Sequence, residues 1–290
     1  MQLDEDTAAG VVLAGGRSSR MGAPKAALEW HGSTLLYRTV SVLTRTVGGP
    51  VMVVRAPGQE LPTLPAGVQV VDDPVEGLGP MQGIATGLAA VADRAPAAFV
   101  CSTDMPFLHP AFIRRVLRGL SASGFAAGPD VVLPIARGFP QPLAAAYRTG
   151  LAELAAKLIA DGRLRPAMLF EECDVARPED AELLADAELA RLDPALDSVV
   201  NVNAPEDYAA ARSRPAAEIV VQCFGALAGE GRRGARTVRA GTLGAAAASV
   251  GLVLDAHIIA ALNGDQITRD AQLPLVGGDA IAFLSADAGG

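Results

Sequence analysis

A short segment near the start of the chain combines glycines with basic side chains. It reads Leu13-Ala-Gly-Gly-Arg-Ser-Ser-Arg-Met-Gly-Ala-Pro-Lys25 and directly follows a run of apolar residues. Glycines let backbone N–H groups approach a ligand closely, and such loops form concave anion-binding sites. The basic side chains of Arg17, Arg20 and Lys25 add positive charge to the same loop, which suits a triphosphate. The alternative is a glycine-rich turn with solvated arginines.

The position of Lys25 is informative because lysine is scarce in this chain. Among the 24 basic residues, only Lys25 and Lys157 are lysines. A lysine in a glycine-rich loop therefore favours an anion-binding role over a chance placement. The segment matches neither the GxGxxG nor the GxxxxGK[ST] pattern, so it indicates neither a Rossmann dinucleotide site nor a P-loop.

An aspartate follows another apolar run. The segment Val100-Cys-Ser-Thr-Asp104 ends a predicted buried strand. Because ligands of open α/β sheets bind outside the carboxyl ends of the strands, we expect Asp104 to face the same crevice as the glycine-rich loop. A carboxylate there can hold Mg²⁺ together with phosphate oxygens. The alternative is a turn or helix-capping aspartate ahead of Pro106.

Alternating strands and helices must position these groups. Short apolar runs predict buried strands at Gly10–Ala14, Val51–Val54, Val68–Val71, Ala98–Cys101 and Val131–Pro134. Longer amphipathic segments predict helices at Leu35–Thr46, Met81–Ala92, Pro110–Leu120 and Leu151–Ala160. This alternation predicts a doubly wound α/β domain, with a mostly parallel sheet covered by helices on both faces.

The pattern changes after a polar, proline-containing linker at residues 213–217. The following residues predict β-β-α-β-β, with strands at Ile219–Phe224, Thr237–Arg239, His257–Leu262 and Ala280–Leu284. The helix spans Thr242–Val250, with Thr242 as its N-cap, and Asn263-Gly264 is a turn signal. We therefore expect a domain at 1–212 and a small α+β domain at 218–290, with the helix on one face of its sheet.

Composition limits the classes of function. A net charge of −8 argues against a general nucleic-acid binder. The most apolar long stretch, Ala245–Leu262, is interrupted by Asp255 and His257, so no membrane span is predicted. Three unpaired cysteines and an acidic start indicate a cytoplasmic protein with reduced thiols.

The glycine-rich loop resembles the signature loop of the molybdenum cofactor guanylyltransferase family, within the wider sugar-nucleotide-transferase-like fold. The resemblance implies that Leu13, Ala14, Gly15, Gly16 and Arg17 bind the nucleotide. It also implies that Lys25, Arg20 and Asp104 are catalytic and that Asp104 binds Mg²⁺. Two glycines after Leu-Ala resemble the GTP-using members, whereas cytidylyl-transferring relatives tend to carry Ala-Ala-Gly.

Further segments extend the resemblance. Asp73, with Asp72 as the alternative, and Gly79 in the Gly77–Gly83 loop match nucleotide-contacting positions. Asn203 in the N-x-N-x-P-E segment matches a metal ligand, although it equally suits the N-cap of a helix at Pro205–Ala211. The segment Pro140, Gln141 and Pro142 resembles the part near the pterin substrate. One departure is Val54-Arg55, where the family often carries a base-contacting asparagine.

The reaction implied by this resemblance is transfer of GMP from GTP to the terminal phosphate of molybdopterin, with pyrophosphate released. Positioning and charge stabilisation carry most of such a step, so no protein nucleophile is required. The alternatives are a cytidylyltransferase for the same pterin, a transferase for a sugar or isoprenoid phosphate, or an inactive transferase scaffold.

The last 70 or so residues resemble the small subunit of molybdopterin synthase and related thiamine sulfur carriers. The resemblance rests on the Asn263-Gly and Gly277-Gly278-Asp279 turns, on the AIAFL run and above all on the terminal Gly289-Gly290. It implies a ubiquitin-like β-grasp domain whose terminal glycine becomes a thiocarboxylate. Its implied partners are the large subunit of molybdopterin synthase and a ubiquitin-activating-like adenylating enzyme. The alternative is a frayed chain end.

Overall fold

The structure is a computed structural model that describes residues 4–15, 24–75, 77–121, 128–229 and 233–286. These residues form two compact units. The first unit contains the described residues up to Leu28 together with Leu35–Asp207. The second unit contains Glu29–Thr34 and the described residues from Tyr208 onward.

The strands, numbered in chain order, are β1 Ala8–Leu13, β2 Glu29–Trp30, β3 Ser33–Thr34, β4 Val51–Arg55, β5 Gln69–Asp72, β6 Ala97–Ser102, β7 Val131–Val132, β8 Ile135–Ala136, β9 Phe139–Pro140, β10 Ala144–Arg148, β11 Val175–Ala176, β12 Glu218–Cys223, β13 Arg236–Arg239, β14 Ile258–Leu262, β15 Gln266–Thr268 and β16 Ala280–Ser285. The α-helices are α1 Leu35–Thr44, α2 Pro80–Val91, α3 Pro110–Arg118, α4 Leu151–Ala160, α5 Pro166–Leu169, α6 Asp180–Leu183, α7 Ala187–Leu192, α8 Pro205–Arg212 and α9 Leu243–Ser249.

A mostly parallel, seven-stranded sheet forms the centre of the first unit. Its strand order is β11-β7-β10-β6-β1-β4-β5. Strands β6, β1, β4 and β5 run parallel to one another, whereas β10 is antiparallel to both β6 and β7. The carboxyl ends of β1, β4 and β6 therefore meet at one edge of the sheet, where ligands of open α/β sheets bind.

Helices cover both faces of this sheet. On one face, α2 and α4 pack over a core that includes Val11, Leu13, Ile84 and Leu88. On the other face lie α1 and α3, and the rings of Phe99 and Phe112 meet edge to face. The predicted doubly wound, mostly parallel architecture is confirmed for this unit.

Glycines bring α2 unusually close to β1. A Cβ atom added at Gly87 would lie 2.3 Å from Cγ1 of Val11, and one added at Gly83 would lie 3.1 Å from the Leu13 side chain. The backbone of α2 therefore rests directly on β1. This close packing holds the N-terminal half of α2 beside the carboxyl end of β1.

The predicted helices of the first unit are confirmed with small shifts at their ends, but one prediction about its strands was wrong and the internal strand β10 was missed. The run at Val68–Val71 was expected to be buried, whereas β5 is the edge strand and its residues are largely exposed. The strand β10, Ala144–Arg148, was not predicted. Its sequence AAAYR is poor in β-branched residues, and its burial between β6 and β7 outweighs that low strand propensity.

The second unit contains a mixed five-stranded sheet in the order β13-β12-β16-β14-β15. The two central strands β12 and β16 are parallel, and the outer pairs are antiparallel. Helix α9 packs on one face, where Leu243 and Ala246 join a core with Ile219, Ile281 and Phe283.

The four predicted strands and the predicted helix of the second unit are confirmed, with small shifts at their ends. The hydroxyl of Thr242 accepts a hydrogen bond from Ala245 N–H at 3.3 Å, which is the predicted N-cap. Asn263 and Gly264 adopt φ angles of 54° and 94° in the predicted turn. This turn leads into β15, a short strand that was not predicted.

The division between the units differs from the expected one at two places. The β2–β3 hairpin, Glu29–Thr34, and the segment at residues 208–212 belong to the second unit, although both were assigned to the 1–212 domain. Within that unit, the Tyr208 hydroxyl donates to the Glu29 carbonyl oxygen, and the Arg212 guanidinium pairs with the Glu29 carboxylate. These contacts join the hairpin to the C-terminal half of α8. The linker at 213–217 remains a prediction.

Among the residues that the structure describes, no helix has the length and apolar character needed to cross a lipid bilayer.

Candidate active site

A large cavity opens at the carboxyl ends of β1, β4 and β6. Its volume is about 1170 Å³. Pockets for one small molecule typically measure about 300–1,000 Å³, so this cavity has room for more than one reactant. Its walls contain the predicted site residues Leu13, Ala14, Gly15, Lys25, Asp73, Gly79, Asp104, Pro140, Gln141, Pro142 and Asn203.

Lys25 joins two of the predicted ligand-binding side chains. Its Nζ atom lies 2.8 Å from Oδ2 of Asp104 and 2.9 Å from Oδ1 of Asn203. The side chains of Lys25 and Asp104 are 20% and 16% exposed, so the pair is only partly screened by water. Three segments that are distant in sequence thus place one ammonium group and two oxygen ligands at the same point of the cavity wall.

The second oxygen of Asp104 is also held. Oδ1 accepts a hydrogen bond from the hydroxyl of Ser102, the last residue of β6. The backbone oxygen of Asp104 accepts from Val202 N–H at 2.9 Å, which ties the Asn201–Asn203 segment to the Asp104 turn. Asp104 is therefore oriented by its own strand end and fixes the position of the segment that carries Asn203.

The N-cap alternative for Asn203 was wrong. Helix α8 begins at Pro205, so Ala204 occupies the N-cap position and Pro205 is the first helical residue. The Asp207 carboxylate accepts from the backbone N–H groups of Asn203 and Ala204, at 3.1 and 3.0 Å. The side-chain oxygen of Asn203 accepts instead from Lys25 Nζ at 2.9 Å.

The N-terminus of α2 adds positive partial charge to the cavity. Gly79 precedes the helix with φ 77°, a conformation that favours glycine, and Pro80 is the first helical residue. The first turn carries no acidic side chain. The first-turn N–H groups have no acceptor within the helix, so they and the helix dipole favour a bound anion at this end.

The structure separates the two aspartates of the predicted pair. Asp73 lines the cavity, where burial raises the pKa of its carboxyl and a hydrogen bond from Thr86 partly offsets the rise. Asp72 instead accepts from Arg55 Nε at 2.6 Å and does not line the cavity. Of the two, only Asp73 lines the cavity.

The predicted pterin segment forms another part of the same wall. Strands β8 and β9 form a hairpin, and the Gln141 amide donates to the backbone oxygens of Ala136 and Phe139, both at 3.2 Å. The Tyr147 hydroxyl donates to the Pro142 carbonyl at 2.7 Å. These bonds keep the Pro140–Pro142 segment in a defined position against β10.

Two functional candidates were missed by sequence reasoning. Ser102 precedes Asp104 by two residues, so its place at the strand end was available as a signal. Gln59 lines the cavity from the loop after β4, and no local pattern marks it. The predicted residues Gly16, Arg17 and Arg20 lie outside the described residues, as do Gly289 and Gly290.

The described residues supply little alternative chemistry here. Burial and the nearby Asp104 carboxylate raise the pKa of Cys101, so its thiol stays protonated and is a poor nucleophile. No group of three or more His, Cys, Asp and Glu side chains within the described ranges has the arrangement of a metal site.

Comparison with known sequences relates the first unit to a family of nucleotidyltransferases. Residues 10–175 match the MobA-like NTP transferase domain. The chain is 41% identical over 172 residues to a probable molybdenum cofactor guanylyltransferase of Mycobacterium tuberculosis (strain H37Rv), covering 58% of this chain and 82% of the relative. A protein of the same name from Mycobacterium ulcerans is 41% identical over 176 residues, covering 60% and 84%.

Solved structures agree on the fold. Molybdopterin-guanine dinucleotide biosynthesis protein A from Archaeoglobus fulgidus aligns with a TM-score of 0.52 and 24% identity, covering 70% of this chain and 96% of that one. A 4-diphosphocytidyl-2C-methyl-D-erythritol synthase from Anaerococcus prevotii aligns with a TM-score of 0.51 and 13% identity, covering 73% and 97%. The fold alone therefore does not determine which nucleotide is used. The cavity and the match over residues 10–175 together identify the chain as a member of the MobA-like NTP transferase family and a nucleotidyltransferase.

Proposed function

We propose that the first unit transfers GMP from GTP to the terminal phosphate of molybdopterin. The observation that carries this proposal is the contact of Lys25 with Asp104 and Asn203 inside the large cavity. The names of the mycobacterial relatives and the Leu-Ala-Gly-Gly start of the loop support GTP and molybdopterin as the substrates.

In the proposed reaction, an oxygen of the molybdopterin phosphate forms a bond to the α-phosphorus of GTP. The bond from that phosphorus to the oxygen bridging to the β-phosphate breaks, and pyrophosphate leaves with the electron pair. Lys25 and the N-terminus of α2 bind the triphosphate and stabilise the charge that develops on it. The Pro140–Pro142 wall positions the acceptor, so the chain contributes orientation rather than a covalent nucleophile.

Asp104 and Asn203 fit a bound Mg²⁺. Their oxygens already share one cation, the Lys25 ammonium, which indicates a point of negative potential in the wall. Mg²⁺ commonly binds one or two protein oxygens and completes its coordination with water and substrate phosphates. When bound, it supplies charge neutralisation at the phosphates.

The test is a GMP-transfer assay with molybdopterin, Mg²⁺ and each of the four nucleoside triphosphates in turn. We expect GTP to be used in preference to CTP, and Asp104→Asn to abolish transfer while the protein stays folded. Asp161→Asn, at an exposed position after α4, is the matched control. A preference for CTP would replace the proposal with a cytidylyltransferase. Full activity of Asp104→Asn would exclude a catalytic role for Asp104, and absence of transfer with all four nucleotides would indicate an inactive scaffold.

We further propose that the second unit is a β-grasp sulfur carrier. The strand order, the parallel central pair and the packing of α9 on one face support a β-grasp fold. The Gly289-Gly290 pair would carry the sulfur as a thiocarboxylate after adenylation. The partners would then be an adenylating enzyme and the large subunit of molybdopterin synthase.

Intact-mass measurement after incubation with that adenylating enzyme, ATP and a sulfur donor tests the carrier role. We expect a thiocarboxylate on the full-length chain and none after deletion of Gly289-Gly290. The deletion should leave GMP transfer unchanged, since it lies far along the sequence from every residue of the cavity. An unmodified full-length chain would contradict the carrier proposal without affecting the transferase proposal.

A further inference from the structure

The two side-chain oxygens that fit a bound Mg²⁺ are also the partners of a lysine. Nζ of Lys25 lies 2.8 Å from Oδ2 of Asp104 and 2.9 Å from Oδ1 of Asn203. A lysine ammonium is a compact charge that only donates hydrogen bonds, so it binds oxygens of the same kind that Mg²⁺ binds. Lys25 and a divalent cation are therefore alternative partners of one pair of oxygens.

The oxygens are held in place more firmly than the ammonium. Oδ1 of Asp104 accepts a hydrogen bond from the Ser102 hydroxyl. The backbone N–H of Asn203 donates to the Asp207 carboxylate at 3.1 Å. Lys25 reaches the same point at the end of a flexible four-carbon side chain. Of the three groups, the ammonium can leave with the smallest change in the cavity wall.

A divalent cation could not bind beside Lys25 without additional negative charge. Protein oxygens bind Mg²⁺ at about 2.0–2.1 Å, so an ion on either oxygen would lie within about 5 Å of the present position of Nζ. The side chains of Lys25 and Asp104 are only 20% and 16% exposed, so little water screens the repulsion. Asp104 and Asn203 carry one formal negative charge between them, which balances the ammonium alone. A divalent cation must therefore displace Lys25 or arrive with anionic groups.

We propose that Lys25 and a divalent cation compete for Asp104 and Asn203, and that a triphosphate ends the competition by binding Lys25. The triphosphate supplies the negative charge that two cations need, and its oxygens offer the ammonium new partners. Metal and nucleotide then strengthen each other's binding, because coupling between two ligands is reciprocal. This inference rests on the proposed function, because it takes a nucleoside triphosphate to be the ligand of the cavity.

The first test measures Mn²⁺ binding without nucleotide by electron paramagnetic resonance, since Mn²⁺ takes the same kinds of oxygen ligands as Mg²⁺. We expect weak binding to the unmodified protein. Lys25→Met removes the ammonium and keeps a long side chain, so it should raise the Mn²⁺ affinity about tenfold or more, within the usual range of coupling between ligands. Lys25→Arg retains the positive charge and should keep the affinity low. Lys157→Met, at an exposed position of α4, should bind Mn²⁺ like the unmodified protein.

A double variant, Lys25→Met with Asp104→Asn, locates the gained metal. It replaces the carboxylate by a neutral amide, so the Mn²⁺ affinity should return to the weak value of the unmodified protein. A gain that persists in the double variant would place the ion elsewhere and overturn the inference. Equal Mn²⁺ affinities of Lys25→Met and the unmodified protein would overturn it as well. Thermal unfolding of each variant confirms that it is folded.

The second test uses the unmodified protein, whose only lysines are Lys25 and Lys157. Acetylation by acetic anhydride, quantified by mass spectrometry, compares the accessibility of the two amines. A Mn²⁺ concentration that occupies the site should increase the labelling of Lys25 and leave that of Lys157 unchanged. Addition of a GTP analogue with a methylene group between the α- and β-phosphates should lower the labelling of Lys25 again. Constant labelling of Lys25 at bound Mn²⁺, or no protection by the bound analogue, would overturn the exchange.

Failure of the proposed function has a different signature. A protein that binds no nucleoside triphosphate would show this by calorimetry with the unmodified chain. The difference in Mn²⁺ affinity between Lys25→Met and the unmodified protein would persist, because that measurement contains no nucleotide.

Discussion

Each unit contains a cluster of polar side chains that hydrogen-bond to one another. One cluster lies at the wall of a cavity, whereas the other surrounds a buried carboxylate. In the first unit, Lys25, Asp104 and Asn203 meet at the wall of a cavity of about 1170 Å³. In the second unit, the Asp279 carboxylate accepts from the Asn263 amide at 3.0 Å and from Val276 N–H at 2.8 Å.

The source of the partners distinguishes the two clusters. Asn263 also accepts from Ala280 N–H at 2.8 Å, so its cluster binds backbone groups of two neighbouring turns, and Asp279 is only 4% exposed. The Lys25 cluster joins side chains of three remote segments and remains partly exposed. Polar side chains that satisfy nearby backbone stabilise a fold, whereas side chains that satisfy each other beside a cavity can exchange partners with a ligand.

The largest effect should come from removing the ammonium of the first cluster. Lys25→Met is expected to lower kcat/KM for GMP transfer about 10²–10³-fold, because a charged donor to the triphosphate is lost. Lys157→Met, at an exposed position of α4, is the matched control and should retain full activity. If Lys25→Met and Lys157→Met had similar kcat/KM values, the Lys25 cluster would have no special role in GMP transfer.

The second cluster should respond in stability. Asn263→Ala is expected to lower the free energy of unfolding of the second unit by about 2–3 kcal/mol, since it loses two hydrogen bonds and places alanine at φ 54°. Asn263→Gly keeps the backbone freedom and isolates the hydrogen-bond loss. Urea unfolding measures both variants, and the GMP-transfer rate should not change. A large loss of transfer in Asn263→Gly would contradict a purely structural role.

A smaller effect should follow from disturbing the support beneath the cavity. Gly87→Ala places a methyl group against Val11 and is expected to cost about 1–3 kcal/mol of stability. Displacement of α2 from β1 should also weaken GTP binding, because the N-terminus of α2 lines the cavity. Gly150→Ala is the control, since no atom lies within 4 Å of the added carbon. If Gly87→Ala and Gly150→Ala had equal stability and equal GTP affinity, α2 would accommodate the added methyl group without any effect on the cavity.

The smallest effect concerns the pH dependence of stability. Burial raises the pKa of Asp73 above its ordinary value of 3.8, so the folded state holds this proton more tightly than the unfolded state. Stability from this group is therefore present at low pH and declines as the pH rises from 3.8 through the raised value. Asp73→Asn should remove that decline, which we expect to be below about 1 kcal/mol because the side chain is partly solvated.

Urea unfolding at a series of pH values measures the difference between the two proteins. Thr86→Val serves as the companion variant. It removes the hydrogen bond that lowers the pKa of Asp73, so the decline should become steeper. Parallel pH profiles of the unmodified protein and Asp73→Asn would show that Asp73 titrates as it does in the unfolded chain.

Local sequence patterns were sufficient to predict many strands, caps and turns of this molecule. Apolar runs located β1, β4 and β6, and their parallel arrangement brings the ends of these strands to one edge because of chain connectivity. Thr242 and Asn263-Gly264 were predicted correctly because capping and turn formation depend on a few adjacent residues. Lys25 and Asp104 were predicted as site residues for a similar reason, because each follows a predicted strand in the sequence.

Only the tertiary structure decided the contacts between remote segments. The burial of β10 between β6 and β7, the contact of Lys25 with Asn203 across 178 residues and the placement of Glu29–Thr34 in the second unit have no local signal. The same holds for Gln59, whose amide meets Ala14 only because β1 and β4 pair in register. Local sequence encodes turns and burial, whereas these contacts depend on the summed packing of the whole unit, which overrides weak local preferences.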